Sequence, residues 1–276
     1  MVLTRKWEIY IVLFILCLSP VTGQGAQTPV AYVDLECQLA GQGLDKGYIT
    51  KIFADQRNQF LPDIVRKIAT LRKERPADYD QFLKPEVVAR GRQYLKEHQN
   101  QLTRARDRYG VDTGVIVAIL TVESGLGKST GKYSVFNVFA SLSVMDTPEV
   151  IRETGLPRHL YPRLKKKAAW ARRELKTFLS YCQRNRLDPF QYYGSWAGAI
   201  GYPQFLPTSL VASGQDGDGD GRVDLFTHAD AIVSIANYLK KSGFHQNNPN
   251  TWRRAILAYN NSDAYADTIL TLARWY

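Results

Sequence analysis

Apolar residues recur at steps of three and four through most of this chain, and the strict alternation that suits strands is scarce. That period gives helices with one buried stripe each, so the chain is constrained to pack helix on helix. Helices are predicted over 60–71, 87–109, 115–123, 165–183, 229–239 and 252–259. Gly, Pro and Asn punctuate the intervals at Tyr109-Gly110, Gly155-Leu156-Pro157, Gly194 and Gln246-Asn247-Asn248-Pro249. The fold class is therefore mainly α. The chain has 276 residues, 45% of them hydrophobic, enough for one large domain or two modest ones with a buried core. A helical N-terminal portion over 24–110 is expected to lead into a glycine-richer remainder over 111–276, without a flexible linker.

The first residues do not belong to that core. Arg5 and Lys6 precede an apolar run from Ile9 to Leu18, and Val21-Thr22-Gly23 supplies small residues for cleavage. This pattern reads as a secretory signal peptide over 1–23, the alternative being an uncleaved anchor. Leu16 before Cys17 argues against a lipoprotein site, which favours a soluble exported form. Cleavage would leave Cys37 and Cys182, too few for a disulfide framework, and their pairing is open. The four histidines are scattered, so no Cys/His metal cluster is expected.

The formal net charge is +10, which in an exported protein points to an anionic partner. The densest basic run is PRLKKKAAWARRELK, 162–176. Its apolar positions Leu164, Ala168, Ala171, Leu175, Phe178 and Leu179 keep helical spacing, so its charges cover the outer face of a helix. No nucleic-acid-binding motif is present, and nucleic acid is not expected as a partner.

Two stretches carry explicit chemistry. In QDGDGDGRVDLF, 215–226, Asp216, Asp218 and Asp220 stand at positions 1, 3 and 5 of an EF-hand-like loop, with Gly221 at the turn. Alternate spacing lets three short carboxylates converge on one hard cation, and the Arg222 carbonyl would supply the next oxygen. Thr227 then replaces the usual closing Glu, so a lengthened loop, 216–230, closed by Asp230 is expected. Asp224 could instead reach the ion through water. A structural calcium ion fits this donor set; no organic cofactor is expected.

The second stretch is AILTVESGLG, 118–127. An apolar helical run ends in Glu123 and then Ser-Gly-Leu-Gly. Desolvation at such a position favours the neutral acid, as a proton donor requires. Two further stretches, YYGSWAGAIGYPQFLPTS (192–209) and ILAYNNSDAY (256–265), combine aromatic rings with amides and hydroxyls around glycine-rich or turn-forming backbone. Aromatic faces and polar donors are what a sugar-binding groove uses.

The motifs ESGLG…TGKYSVFNVFASL, GSWAGAIGYPQFLPTS, the Asp-rich loop and AYNNSDAY follow one another in an order that resembles the lytic murein transglycosylase B family, from about residue 85 to the C-terminus. The resemblance implies a lysozyme-like helical catalytic core that cleaves bacterial peptidoglycan between N-acetylmuramic acid and N-acetylglucosamine. It implies that Glu123 is the single essential acid, and that closure of the muramic C6 hydroxyl on C1 gives a 1,6-anhydro product without added water. Ser195 and Gln204 are then expected near the cleaved bond, with Tyr259, Asn260 and Tyr265 lining the groove. Ordinary glycosidases need two carboxylates, and no second one stands at a recognisable position.

Ile200 and Pro203 depart from the Met and Gly of many relatives, which would reshape the groove wall. Where relatives can carry Ser, this chain has Asp218, which should strengthen calcium binding. The resemblance also implies a periplasmic location in a Gram-negative bacterium. Glycan strands are the expected partner, cell-wall machinery proteins are candidates, and a monomer without an appended wall-binding domain is expected. Two alternatives remain: a muramidase that adds water, and a wall-binding scaffold that has lost turnover.

Overall fold

The computed structural model describes residues 29–276. The signal-peptide reading of 1–23, including Cys17, falls outside the described residues.

Thirteen α-helices, four short 3-10 helices and a ribbon of two two-residue strands make up the regular structure of the described residues. Helices α1 (Ala31–Gly41), α2 (Lys46–Phe53) and α3 (Pro62–Ala69) precede two short 3-10 helices, Pro76–Asp78 and Asp80–Leu83. Next come α4 (Pro85–Glu97) and α5 (Gln99–Tyr109), which the periodicity had joined into one helix over 87–109. They part at His98, whose φ of −108° and ψ of 21° leave the helical region. The bend lets α4 lie on α6 (Thr113–Ser124) while α5 lies on α11, which a single straight helix could not do. His98 anchors it, its ring 4.2 Å from that of Tyr94 and 4.3 Å from that of His228.

Helix α6 is central. Every residue from Gly114 to Ser124 is buried, so this helix has no polar face and shows no amphipathic stripe. Asp112 starts it by accepting the Val115 amide at 3.1 Å, and Gly125 ends it with a left-handed φ of 58° that glycine adopts without strain. Asp112→Ala is expected to lower stability by about 1 kcal/mol in urea unfolding at pH 7, the usual effect of losing such a cap.

After α6 come β1 (Tyr133–Ser134), α7 (Val135–Ser143), α8 (Pro148–Thr154) and the long α9 (Tyr161–Asn185). The α9 stripe faces inward as its spacing requires: Leu164, Ala168, Ala171, Leu175, Phe178 and Leu179 are all buried, while Lys165 and Lys166 are exposed. Glu174 is also fully buried, and it accepts both the amide and the hydroxyl of Thr208 at 3.0 Å. It thereby caps α10 (Pro207–Ser213), which follows β2 (Tyr193–Gly194). The chain closes with α11 (His228–Lys241), α12 (Asn250–Tyr259) and α13 (Asp263–Trp275).

The strands pair antiparallel, Tyr133 opposite Gly194 and Ser134 opposite Tyr193. Single bridges from Gly194 to Ile200 and from Ile200 to Phe205 fold the next ten residues back on this ribbon. The loop after α6 must pass very close here, because a Cβ on Gly131 would fall 2.0 Å from the Gly194 carbonyl oxygen. Buried apolar side chains from Ala31 to Leu272 form one continuous core. Cys37 is exposed and Cys182 buried, and both are free thiols. None of the described helices is long and apolar enough to cross a membrane.

Candidate active site

Glu123 sits in the last turn of α6, buried, with 8% of its surface exposed. Its Oε1 accepts the Tyr265 hydroxyl at 2.7 Å. Burial pushes its carboxyl up to about 8; the Tyr265 hydrogen bond works against this and the charge of Glu74 adds to it. A carboxyl with that balance stays protonated at neutral pH and can give its proton to a leaving oxygen.

Tyr265 belongs to the first turns of α13, which packs along α6. Its ring stacks on Tyr259, centroids 6.4 Å apart and planes within 11°. Tyr259, at the end of α12, donates its hydroxyl to the Pro203 carbonyl and so ties down the turn that carries Gln204. Gln204 has a left-handed φ of 51°, a strained backbone for a side chain of its size. Its own amide holds the strain, donating to the Gly201 carbonyl at 2.7 Å and the Thr130 carbonyl at 3.3 Å.

The Ser195 hydroxyl does not meet Glu123. It accepts the backbone amides of Ala197 at 3.3 Å and Ala199 at 3.1 Å, closing the turn after β2. With its lone pairs so used, the hydroxyl proton remains to be donated. Asn260 is buried behind Tyr259, and its side chain bonds to Glu74.

Glu74 and Tyr79 escaped sequence reasoning. Glu74 comes from the charged run RKERPAD (72–78), which reads as a solvated surface. Tyr79 donates to its Oε2 at 2.5 Å. The Tyr79 ring meets Tyr265 edge-on, centroids 6.1 Å apart. A cavity of about 480 Å³ lies between this segment and α13, with Glu74, Asp80, Ser262 and Thr268 among its lining. Nothing in the run distinguishes Glu74 from its neighbours before the fold turns it inward.

In the acidic loop, carboxylate oxygens of Asp216, Asp218 and Asp230 lie within 4.8 Å of one another. Asp220 is outside that group and accepts the Arg222 amide at 2.8 Å instead. The Asp216 oxygens accept the amides of Gly219 at 2.6 Å and Gly221 at 2.8 Å, so the loop is wrapped around that side chain. Asp230, 1% exposed, accepts the amides of Gly217 at 2.8 Å and Asp224 at 2.6 Å. Each carboxylate has lone pairs beyond these bonds, and an all-oxygen set of three is what a hard divalent cation takes. Burial together with the like charges of Asp218 and Asp216 raises the Asp230 carboxyl, a balance that a cation would reverse. The residues present fit calcium.

The described residues form a mainly helical core in which the buried Glu123 carboxyl accepts the hydroxyl of Tyr265, itself stacked on Tyr259. Residues 30–254 match the family described as the transglycosylase SLT domain, and the chain belongs to that family. It is 35% identical over 163 residues to membrane-bound lytic murein transglycosylase B of Escherichia coli, an alignment spanning 59% of this chain and 40% of that relative. The E. coli lytic transglycosylase SLT35 in complex with calcium has the same fold, with a TM-score of 0.73 and 24% identity over 91% of this chain and 93% of that one. SltB3 from Pseudomonas aeruginosa in complex with NAG-NAM-pentapeptide superposes with a TM-score of 0.74 and 25% identity, over 90% of this chain and 79% of that one.

Proposed function

We propose that this protein is a lytic transglycosylase that cleaves the β-1,4 bond between N-acetylmuramic acid and N-acetylglucosamine in peptidoglycan. The observation that carries the reading is Glu123: one buried carboxyl, pushed up to about 8 and oriented by the Tyr265 hydroxyl. Its proton goes to the glycosidic oxygen, and the bonding pair of the C1–O bond leaves with that oxygen. The N-acetyl oxygen of the muramic sugar supports C1 as the bond breaks. The carboxylate so formed takes the proton of the C6 hydroxyl, whose oxygen closes on C1. The acid is regenerated, a 1,6-anhydro end is formed, and no water enters.

Ser195 and Gln204 would contact the sugars about the cleaved bond, with Tyr259, Asn260 and Tyr265 lining the groove. Asp216, Asp218 and Asp230, with the Arg222 carbonyl, would hold calcium, whose work here is to hold the loop together, while Asp220 lies outside their cluster. The calcium complex of SLT35 and the glycopeptide complex of SltB3 support both assignments. Residues 111–276 would form the catalytic core and 24–110 its helical companion. Export through the 1–23 leader would place the protein in the periplasm as a monomer.

The test is mass analysis of fragments released from purified peptidoglycan in the presence of calcium. Muropeptides one water lighter than hydrolytic products are expected. Reducing ends would make the protein a muramidase, with Glu74 the first second carboxylate to examine. No release would favour a scaffold.

A further inference from the structure

Glu74 has no part in the proton transfers above, yet its placement is built. Its Oε2 accepts the Tyr79 hydroxyl at 2.5 Å, Ser262 and Asn260 stand beside the carboxyl and favour its charge, and its Oε1 is buried without a hydrogen-bond partner. Residues from two separate parts of the chain, Tyr79 on one side and Asn260 and Ser262 on the other, converge on one side chain. Tyr79 is 1% exposed and rests edge-on against Tyr265, which holds Glu123. Asn260 follows Tyr259, the ring stacked on Tyr265. Glu74 thus sits where the two supports of the Glu123–Tyr265 pair meet, and its outer side lines the cavity beside α13.

We propose that Glu74 is a positioning residue of this site: it anchors Tyr79 and Asn260 around Tyr265, and its negative charge opposes ionisation of Glu123. The proposal deepens the reading of Glu123 as the proton donor and rests on it. Two carboxylates in one poorly solvated pocket titrate as a coupled pair, and ionising the first makes the second harder to ionise. Burial raises the Glu74 carboxyl as well, but Tyr79, Ser262 and Asn260 offset part of that rise and its outer side meets the cavity, so it ionises first. Glu123 has one donor and is buried, so it keeps its proton. A retained charge on Glu74 therefore stabilises the acid form that the reaction needs.

The other charged and titratable groups around Glu123 are engaged elsewhere. Asp263 and Asp267 on α13 are both held by Arg253 of α12. Arg90 of α4 acts on Tyr276, and His228 of α11 meets the Tyr94 hydroxyl at 2.9 Å. On α5, Tyr109 lies under the Arg108 guanidinium and donates to Gln215. Asp78 is held by Arg72 and Arg75, while Lys73 and Asp80 line the outer cavity. Tyr79, Tyr259 and Tyr265 are all pushed above their usual range and stay neutral.

The experiment follows the Glu123 carboxyl carbon by NMR in the full, substrate-free protein, with Glu123→Gln giving the assignment. Glu74→Gln is expected to lower the Glu123 midpoint by on the order of one pH unit, the usual size of a like-charge interaction in a poorly solvated pocket. The surface control Asp107→Asn should leave it unmoved. In wild type, the Glu123 resonance should also show a second inflection at the Glu74 midpoint, a readout that needs no variant to fold. In cleavage assays the alkaline limb of kcat should move down with the Glu123 midpoint. A single-step Glu123 curve in wild type, or an unmoved midpoint in folded Glu74→Gln, overturns the proposal. Because the titration needs no turnover, wild type that yields no anhydro product would instead sink the functional reading and leave the coupling standing.

Discussion

Glu123→Gln is expected to stop release of anhydro-muropeptides, lowering kcat by about 10³-fold or more, and at the same time to make the folded protein more stable at neutral pH. The first effect follows from losing a positioned general acid, a group that contributes about 10² to 10⁴ by itself; in the proposed mechanism Glu123 would also serve as the base in the second step. The second effect follows from linkage. The Glu123 carboxyl is pushed up to about 8 in the fold, chiefly by burial, and returns to an ordinary carboxyl value on unfolding. A raised carboxyl contributes its full stability below the unfolded value, and the contribution is lost as pH rises through the folded one. Between pH 4.5 and 7 that loss is on the order of 3 kcal/mol for a site this buried. Gln keeps the acceptor for Tyr265 and carries no charge, so it escapes the loss. Urea unfolding of both proteins at pH 5 and pH 7.5 checks this: the advantage of the variant should grow between the two. Equal stabilities at both pH values would mean that Glu123 is not a neutral acid at rest, and the proton-donor reading would fail with them.

The same group sets the activity profile. Cleavage needs the protonated acid, so kcat should fall as pH rises past about 8, the point to which burial pushes Glu123.

Much of this architecture can be read from the residues, for a physical reason. Helices with one wet face, such as α9 and α11, announce themselves by period, since only one stripe is apolar. Helix α7 does not: Val135 to Ser143 are buried on every side, so no polar face gives it a period. Helix α13 was hidden by AYNNSDAY, whose Asn and Ser read as a turn; the turn is only Asn260 to Ser262, and Ser262 caps the helix by accepting the Tyr265 amide at 3.3 Å. The site divides in the same way. Glu123 stands out because an acid closes an apolar run. Ser195 and Gln204 are expected near the site from the resemblance, but the backbone bonds that occupy them depend on turns that sequence does not specify. Glu74 and Tyr79 lie far from Tyr265 along the chain, and their meeting with it follows only from packing.

Calcium is expected to raise the melting temperature of this protein, and Asp230→Ala to abolish the rise while lowering stability in its absence. Asp230 is the buried member of the acidic cluster and joins the two ends of the loop to α11 through the amides of Gly217 and Asp224. Removing it strands both amides, at about 1–3 kcal/mol each if they stay buried. Asp218→Asn separates the two roles, because exposed Asp218 accepts only the Asp220 amide, at 3.2 Å. It should keep the calcium-free melting point and lose most of the calcium response. At calcium one hundred times Kd the gain in wild type is about 2.7 kcal/mol, or roughly 5–10 °C for a domain of this size. Scanning calorimetry in calcium and in chelator checks all three proteins, and coincident wild-type curves would refute the site. The loop also reaches the groove, since the Leu225 carbonyl accepts the Tyr202 amide at 2.8 Å, next to the turn that carries Gln204. Chelation should therefore raise KM for glycan strands more than it lowers kcat: it loosens the wall that holds the sugar and leaves Glu123, fixed by α6 and Tyr265, in place.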